Sequence, residues 1–236
     1  MITLKKLVIF AFAAFFAWSP LIAKNPKIIW VDSFNSSKNN TFPANWQGRT
    51  SKAKNFYRIK AHKSATGENK RYLEANAINS DELIAKTQKV DLVKYPYLNW
   101  RWRVRLLPPG GNESLKPVCD SAASLYVIVR AKTTMGIPTP ESITYTWSST
   151  LRPGTITKSP YSVWPSRCDI IVLRSGSRQK NKWITEKRNV LADYKKFYKK
   201  VNPRTAVIDG VAIMSDSDNT KSQSWADYDE IYFSSK

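Results

Sequence analysis

Histidine is almost missing from this chain: His62 is the only one among 236 residues. A serine or cysteine nucleophile of the usual kind needs a base beside it. One histidine in a Lys/Ser/Thr/Gly stretch gives Ser–His or Cys–His catalysis little to stand on. Cysteine is nearly as scarce, and Cys119, Cys168 and His62 together cannot make an ordinary four-ligand zinc site. No glycine-rich phosphate loop occurs. Beyond the first two dozen residues no apolar run is long enough for a membrane-spanning helix. Acidic residues are few, with 18 Asp and Glu against 38 Lys and Arg and a formal net charge of +20.

The one long apolar run stands at the N-terminus. Lys5 and Lys6 precede Leu7 to Trp18, and Ser19-Pro20-Leu21-Ile22-Ala23 follows. That order predicts a secretory signal over residues 1–23, cleaved near Ala23, and a periplasmic or secreted protein. A run of about a dozen residues falls short of the roughly 20 needed to span a bilayer, so the mature form is expected to carry no integral membrane segment. Residues 24–236 are the size of one domain with a single core. Only Lys5 and Lys6 leave with the leader, so the charge falls from +20 to +18. Such an excess draws a protein toward anionic polymers and head groups, and it also serves plain solubility. Export sets nucleic acid aside as a partner. In an oxidising compartment the two cysteines predict a Cys119–Cys168 disulfide, closing a loop of about 50 residues.

The stretch Tyr97-Leu98-Asn99-Trp100-Arg101-Trp102-Arg103-Val104-Arg105 organises the remainder. At period two, Leu98, Trp100, Trp102 and Val104 share one face, while Tyr97, Arg101, Arg103 and Arg105 share the other. It reads as a strand with an aromatic–aliphatic core side and an arginine outer side, entered at Pro96 and ended by Leu107-Pro108-Pro109-Gly110-Gly111-Asn112. Short strands are predicted at 27–31, 56–59, 72–75, 83–90, 122–130, 143–147, 170–173, 206–214 and 229–233. Only Val190, Leu191, Tyr194, Phe197, Tyr198 and Val201 recur at helical spacing, predicting an amphipathic helix of about three turns, stopped at Pro203 and basic on its other face. About ten strands with one helix predict an all-β jelly-roll sandwich with the helix packed on it. A parallel α/β fold would need helices between most strands.

Tyr95-Pro96-Tyr97-Leu98 with Trp100-Arg101-Trp102-Arg103-Val104, the set Trp183, Glu186, Arg188-Asn189-Val190 and Asp193-Tyr194, and the run Gly210 to Thr220 resemble the bacterial exported family termed domain of unknown function 3047. The resemblance spans nearly the whole mature chain and implies an exported sandwich domain without an assigned activity. The opening Asp32-Ser33-Phe34 and closing Asp229-Glu230-Ile231 are also similar to the paired terminal strands of carbohydrate-binding jelly rolls, a likeness of fold.

Four candidate sites follow from residue type and spacing. Planar arginines bind carboxylates or phosphates, so Arg101, Arg103 and Arg105 with Tyr97 are the candidate contact for an envelope glycan or another anionic polymer, set against a merely solvated face. Trp46, Trp164 and Trp183 are stacking candidates. Glu186 and Asp193 are seven residues apart at the helix start and are the candidate pair should the protein hydrolyse glycans; a structural carboxylate role competes with that. Asp216, Asp218 and Asn219 have the close oxygen spacing that suits calcium, or equally an Asx turn, and Asp32 with Asp229 could form a second cation site if the terminal strands pair. The expectation is therefore a non-catalytic exported glycan- or polyanion-binding sandwich, with no cofactor unless calcium. A glycan-acting enzyme and a structural partner of an envelope complex are the competing classes.

Overall fold

A computed structural model of the chain describes residues 26–63, 66–132, 138–162, 167–199 and 202–236. The predicted leader at 1–23, Trp164 and Val201 lie outside the described residues. The strands are, in order, β1 (Ile28–Asp32), β2 (Gln47–Gly48), β3 (Tyr57–Lys63), β4 (Asn69–Ile78), β5 (Leu83–Asp91) and β6 (Tyr97–Leu106). They continue with β7 (Ala123–Lys132), β8 (Pro138–Ser148), β9 (Ile156–Lys158), β10 (Arg167–Ser175) and β11 (Ile184–Asn189). The helix α1 (Val190–Phe197) follows, then β12 (Val207–Met214) and β13 (Gln223–Ser234).

These strands form two sheets that pack face to face as a jelly-roll sandwich. One has the order β11-β6-β13-β4-β3 with β1 added along β13; the other runs β2-β5-β12-β7-β8-β10-β9. All pairings are antiparallel except β8 with β10. The period-two pattern of β6 holds: Leu98, Trp100, Trp102 and Val104 are all fully buried between the sheets. They meet Leu125, Val127 and Val129 of β7 and Ile143, Tyr145 and Trp147 of β8, which are buried to the same degree. Trp100 stacks on Tyr145 with ring centroids 5.5 Å apart, and Trp102 meets Trp147 edge-on at 6.0 Å.

The helix is shorter than its periodicity predicts. Residues 184–189, expected to lead into it, instead pair with β6 as an edge strand, Glu186 opposite Trp100 and Arg188 opposite Leu98. Asn189 then caps α1, its side-chain oxygen accepting from Ala192 N at 2.9 Å. The helix runs 8 residues, and buried Val190 and Tyr194 close one end of the sandwich. No helix among the described residues is long and apolar enough to cross a membrane.

Two glycines in the loop and strand segments near the second sheet are fixed by close approach. A Cβ on Gly210 would lie 2.7 Å from the Lys86 carbonyl oxygen, at the point where β12 shifts register against β5 and β7. A Cβ on Gly111 would lie 2.6 Å from the Asp120 carbonyl oxygen, which lets the loop between β6 and β7 fold tightly over the outer face of its sheet.

Candidate functional site

The arginines of β6 emerge on the outer face of the six-stranded sheet, yet they are not free. Asp227 of β13 stands opposite Arg103 and is wholly buried. Its Oδ2 accepts from Arg103 Nε and from Arg105 Nε, each at 2.7 Å. Arg101 lies 3.5 Å from Glu230 and 3.9 Å from Asp229. Aromatic rings cover the guanidinium groups. Trp183 sits 5.1 Å from Arg101 and 4.8 Å from Arg103, Trp225 lies 4.6 Å from Arg105, and Tyr72 accepts a hydrogen bond from Arg105 at 2.8 Å. Tyr97 is set apart from this layer, under the Lys187 ammonium at 4.6 Å. The side chains of Arg101, Arg103 and Arg105 keep 26%, 22% and 24% of their exposure. Arg101, Arg103 and Arg105 are held against Asp227, Asp229 and Glu230 in a closed layer, and a polyanion would have to break it to bind there.

Asp229 is the odd member of that layer. Burial first, and then the neighbouring Glu230 charge, push its carboxyl up to about 7. A proton is therefore held in the folded state that the unfolded chain releases near pH 4, so stability declines as pH rises from about 4 to about 7 and levels off above. The melting temperature should fall by several degrees across that interval, and Asp229→Asn should flatten the slope. An unchanged slope in the variant would assign the dependence elsewhere.

The second sheet presents a different surface. Its outer face opens into a cleft of about 450 Å³ lined by side chains from β7, β8, β10 and β12 and by five neighbouring connecting segments. Ser124, Tyr126, Ser142 and Thr144 project from the strands, and Ser121, Tyr161, Asp216 and Asp218 come from the loops. The polar alternates of the same strands whose apolar residues fill the core thus supply the floor. Hydroxyls link across it: Ser121 to Ser124 at 2.7 Å and Ser124 to Thr146 at 3.0 Å. Thr146 donates to Glu113 at 3.3 Å, and Ser148 donates to the same carboxyl at 2.6 Å. Glu113 is 3% exposed, and burial pushes its carboxyl up to about 6. Among the described residues Arg49 is the only cationic one in the lining, and Asp81 holds it at 2.6 Å. The cleft is therefore acidic and rich in hydroxyls within a strongly basic protein.

The predicted disulfide does not form. Cys119 and Cys168 are both free thiols, although both line this cleft. Cys168 Sγ lies 3.2 Å from Thr144 Oγ1, and Cys119 Sγ donates to the Glu113 carbonyl at 3.6 Å. Each sulfur thus has its own partner across the width of the cleft. Burial pushes the Cys119 thiol up to about 12, so it stays protonated and is a poor nucleophile.

Glu186 and Asp193 do not share a helix face, because Glu186 belongs to β11. It accepts from Trp102 Nε1 at 3.1 Å and from Arg174 Nε at 2.7 Å. Asp193 accepts from Tyr145 at 2.8 Å and from Arg188 at 2.7 Å. Both are structural carboxylates with their oxygens occupied. The terminal strands do pair, but the register sets Asp32 against Ile231 rather than Asp229. Asp32 is taken by Trp46 Nε1 at 2.9 Å and Lys86 at 2.8 Å, so the second cation pair is not assembled. Trp46 is buried and stacks on Phe34, which removes it as a sugar platform.

Asp216 and Asp218 do come together, with Asp120 rather than Asn219 as the third member. An oxygen of each carboxylate lies within 4.8 Å of the others. Asn219 turns away, its Oδ1 accepting from Tyr161 at 3.1 Å. Asp120 had carried no expectation as a ligand, since it stands almost a hundred residues away in sequence.

Residues 44–232 match the model of a family described as a protein of unknown function, DUF3047. The chain belongs to that family. No curated protein matches its sequence. Among solved structures it is similar to the endoglucanase Cel12A of Rhodothermus marinus, at 9% identity and a TM-score of 0.40, over 81% of this chain and 96% of that one. It is similar too to a family 12 xyloglucanase of Bacillus licheniformis, at 8% identity and 0.40, over 81% of this chain and 89% of that one. The K2 cleaved adhesin domain of Lys-gingipain gives 12% identity and 0.36, over 85% and 94%. These likenesses concern fold alone.

In this DUF3047 member the three sequence motifs acquire separate physical roles. The 95–104 motif is β6, with its core tryptophans. The 183–194 motif supplies Trp183 over the arginines, then β11 and the start of α1. The 210–220 motif is β12 with its close-approach glycine, followed by the turn that carries Asp216 and Asp218 to the cleft.

Proposed function

We propose that the protein is an exported, non-catalytic sandwich that binds a glycan in the cleft on the outer face of the seven-stranded sheet. The observation that carries the reading is the lining itself. A cleft of about 450 Å³ offers serine and threonine hydroxyls, carboxyl oxygens and the rings of Tyr126 and Tyr161. Sugar hydroxyls pair with such donors and acceptors, and tyrosine rings supply the faces on which a pyranose stacks. The acidic lining favours neutral or amino-sugar units over uronates. The basic exterior then has a separate role, holding the protein near an anionic envelope while the cleft reads the sugar. The arginine face, already engaged by Asp227, Asp229 and Glu230, is a weaker candidate for the contact.

Calorimetric titration with soluble neutral, amino-sugar and acidic oligosaccharides tests this. Tyr161 is 50% exposed, so Tyr161→Ala leaves the core untouched and should weaken binding at least tenfold. Arg101→Ala combined with Arg103→Ala should leave the affinity unchanged. The reverse pattern would return the site to the arginine face. Release of reducing ends from a bound oligosaccharide would replace the binding role with catalysis. Recovery of a chain beginning at Lys24 from the cell envelope would support export.

A further inference from the structure

Three carboxylates crowd together at the wall of the cleft, in a protein with 38 Lys and Arg, and none of Asp120, Asp216 and Asp218 forms an ion pair among the described residues. Like charges at that separation repel, and a fold with so many spare cations would normally place one beside them. Asp216 is 8% exposed, and its Oδ1 is shielded from solvent and accepts no hydrogen bond from the described residues. A buried carboxylate oxygen without a donor is costly unless something else fills the position.

The two chain segments that carry these groups are already fastened. Asp216 N donates to the Ser121 carbonyl at 2.9 Å. Asp120 Oδ2 accepts from Thr220 N and Thr220 Oγ1, both at 2.6 Å, and Asp120 Oδ1 accepts from Asn219 N at 3.2 Å. The two segments that carry Asp120 and Asp216 are therefore tied to each other by contacts with Ser121, Asn219 and Thr220. Two oxygens bound to one calcium ion, each about 2.4 Å away, can be no more than about 4.8 Å apart. The three side chains meet that limit, since their ligand atoms all lie within 4.8 Å of one another.

We propose that Asp120, Asp216 and Asp218 form a calcium site that joins the loop before β7 to the turn after β12 at the edge of the cleft. The donors are all hard oxygens. Calcium accepts an irregular shell completed by carbonyls and water, whereas magnesium demands near-octahedral geometry and zinc favours nitrogen and sulfur. The site does not depend on the glycan reading, and it can be assayed without sugar.

The test uses the folded protein freed of metal by chelator. Calcium at about 1 mM, the range of extracellular modules, should raise the melting temperature by several degrees, with a much smaller effect from magnesium. Terbium, which replaces calcium, should give luminescence sensitised by the nearby tyrosines and quenched by added calcium. Asp216→Asn and Asp218→Asn should each weaken calcium binding at least tenfold. Asp209→Asn, which alters a surface carboxylate paired with Lys89 and Arg130, should leave it unchanged. The absence of both a thermal shift and terbium luminescence in the wild-type protein would overturn the proposal. So would undiminished calcium binding in both cluster variants.

Discussion

Asp227→Ala should destabilise the protein by about 3 kcal/mol, with a fall in melting temperature of about 6–12 °C. The carboxylate is completely buried and is the shared acceptor for Arg103 and Arg105. Removing it leaves two guanidinium groups facing one another beneath Trp183, Trp225 and Tyr72. Breaking a buried pair from one side typically costs about 3–5 kcal/mol, and the residual solvent contact of both arginines places this case at the lower end. Asp227→Asn keeps the shape and one acceptor oxygen, so it should cost less. Arg103→Ala added to Asp227→Ala should recover part of the loss, because one stranded charge disappears. Urea unfolding of the wild type, Asp227→Ala, Arg103→Ala and the double variant closes the cycle. A loss under about 1 kcal/mol for Asp227→Ala would mean that the layer is solvated as an ordinary surface ion pair.

Trp100→Ala should cost about 3–5 kcal/mol, the usual range for deleting a fully buried aromatic side chain. Trp100 joins the sheets by stacking on Tyr145 and also packs edge-on against Trp102, with centroids 5.4 Å apart. Its indole nitrogen has no hydrogen-bond partner among the described residues, whereas that of Trp102 donates to Glu186 at 3.1 Å. This separates two neighbours that look alike in sequence. Trp100→Phe loses volume but no hydrogen bond, so it should cost less than Trp102→Phe, which removes a donor from a carboxylate that then relies on Arg174 alone. Equal costs for the two phenylalanine variants would remove the polar contribution from the account. Paired thermal and chemical denaturation measures both.

The core was readable because it obeys a local rule. Leu98, Trp100, Trp102 and Val104 alternate with polar residues, and alternation is enough to assign faces. The same rule placed Ile143, Tyr145 and Trp147 correctly. It was silent on what covers the outer faces, because the partners are distant in sequence. Asp227 meets Arg103 across a separation of 124 residues. Asp120 reaches Thr220 across 100. The polar alternates of β8 read as the outer side of a one-faced strand, yet Thr144 and Thr146 are almost fully buried, and Glu113 of the loop before β7 accepts from Thr146. The helical spacing that begins at Val190 puts Glu186 at the helix start. Residues 184–189 instead complete the edge of the sheet by pairing with β6, a partner distant in sequence.

β13 stands between β6 and β4 along its first half and between β6 and β1 along its second. The last strand made is therefore the centre of the six-stranded sheet, and the first strand has no partner in that sheet until it arrives. Before residues 223–234 are available, β6 has β11 on one side and no strand on the other among the described residues. Closure of the six-stranded sheet must wait for β13, whose pairings with β1 and β4 are far apart in sequence. A chain shortened at its C-terminus by a dozen residues would lose the middle of a sheet rather than an edge, and degradation machinery would meet it as an unfolded polypeptide.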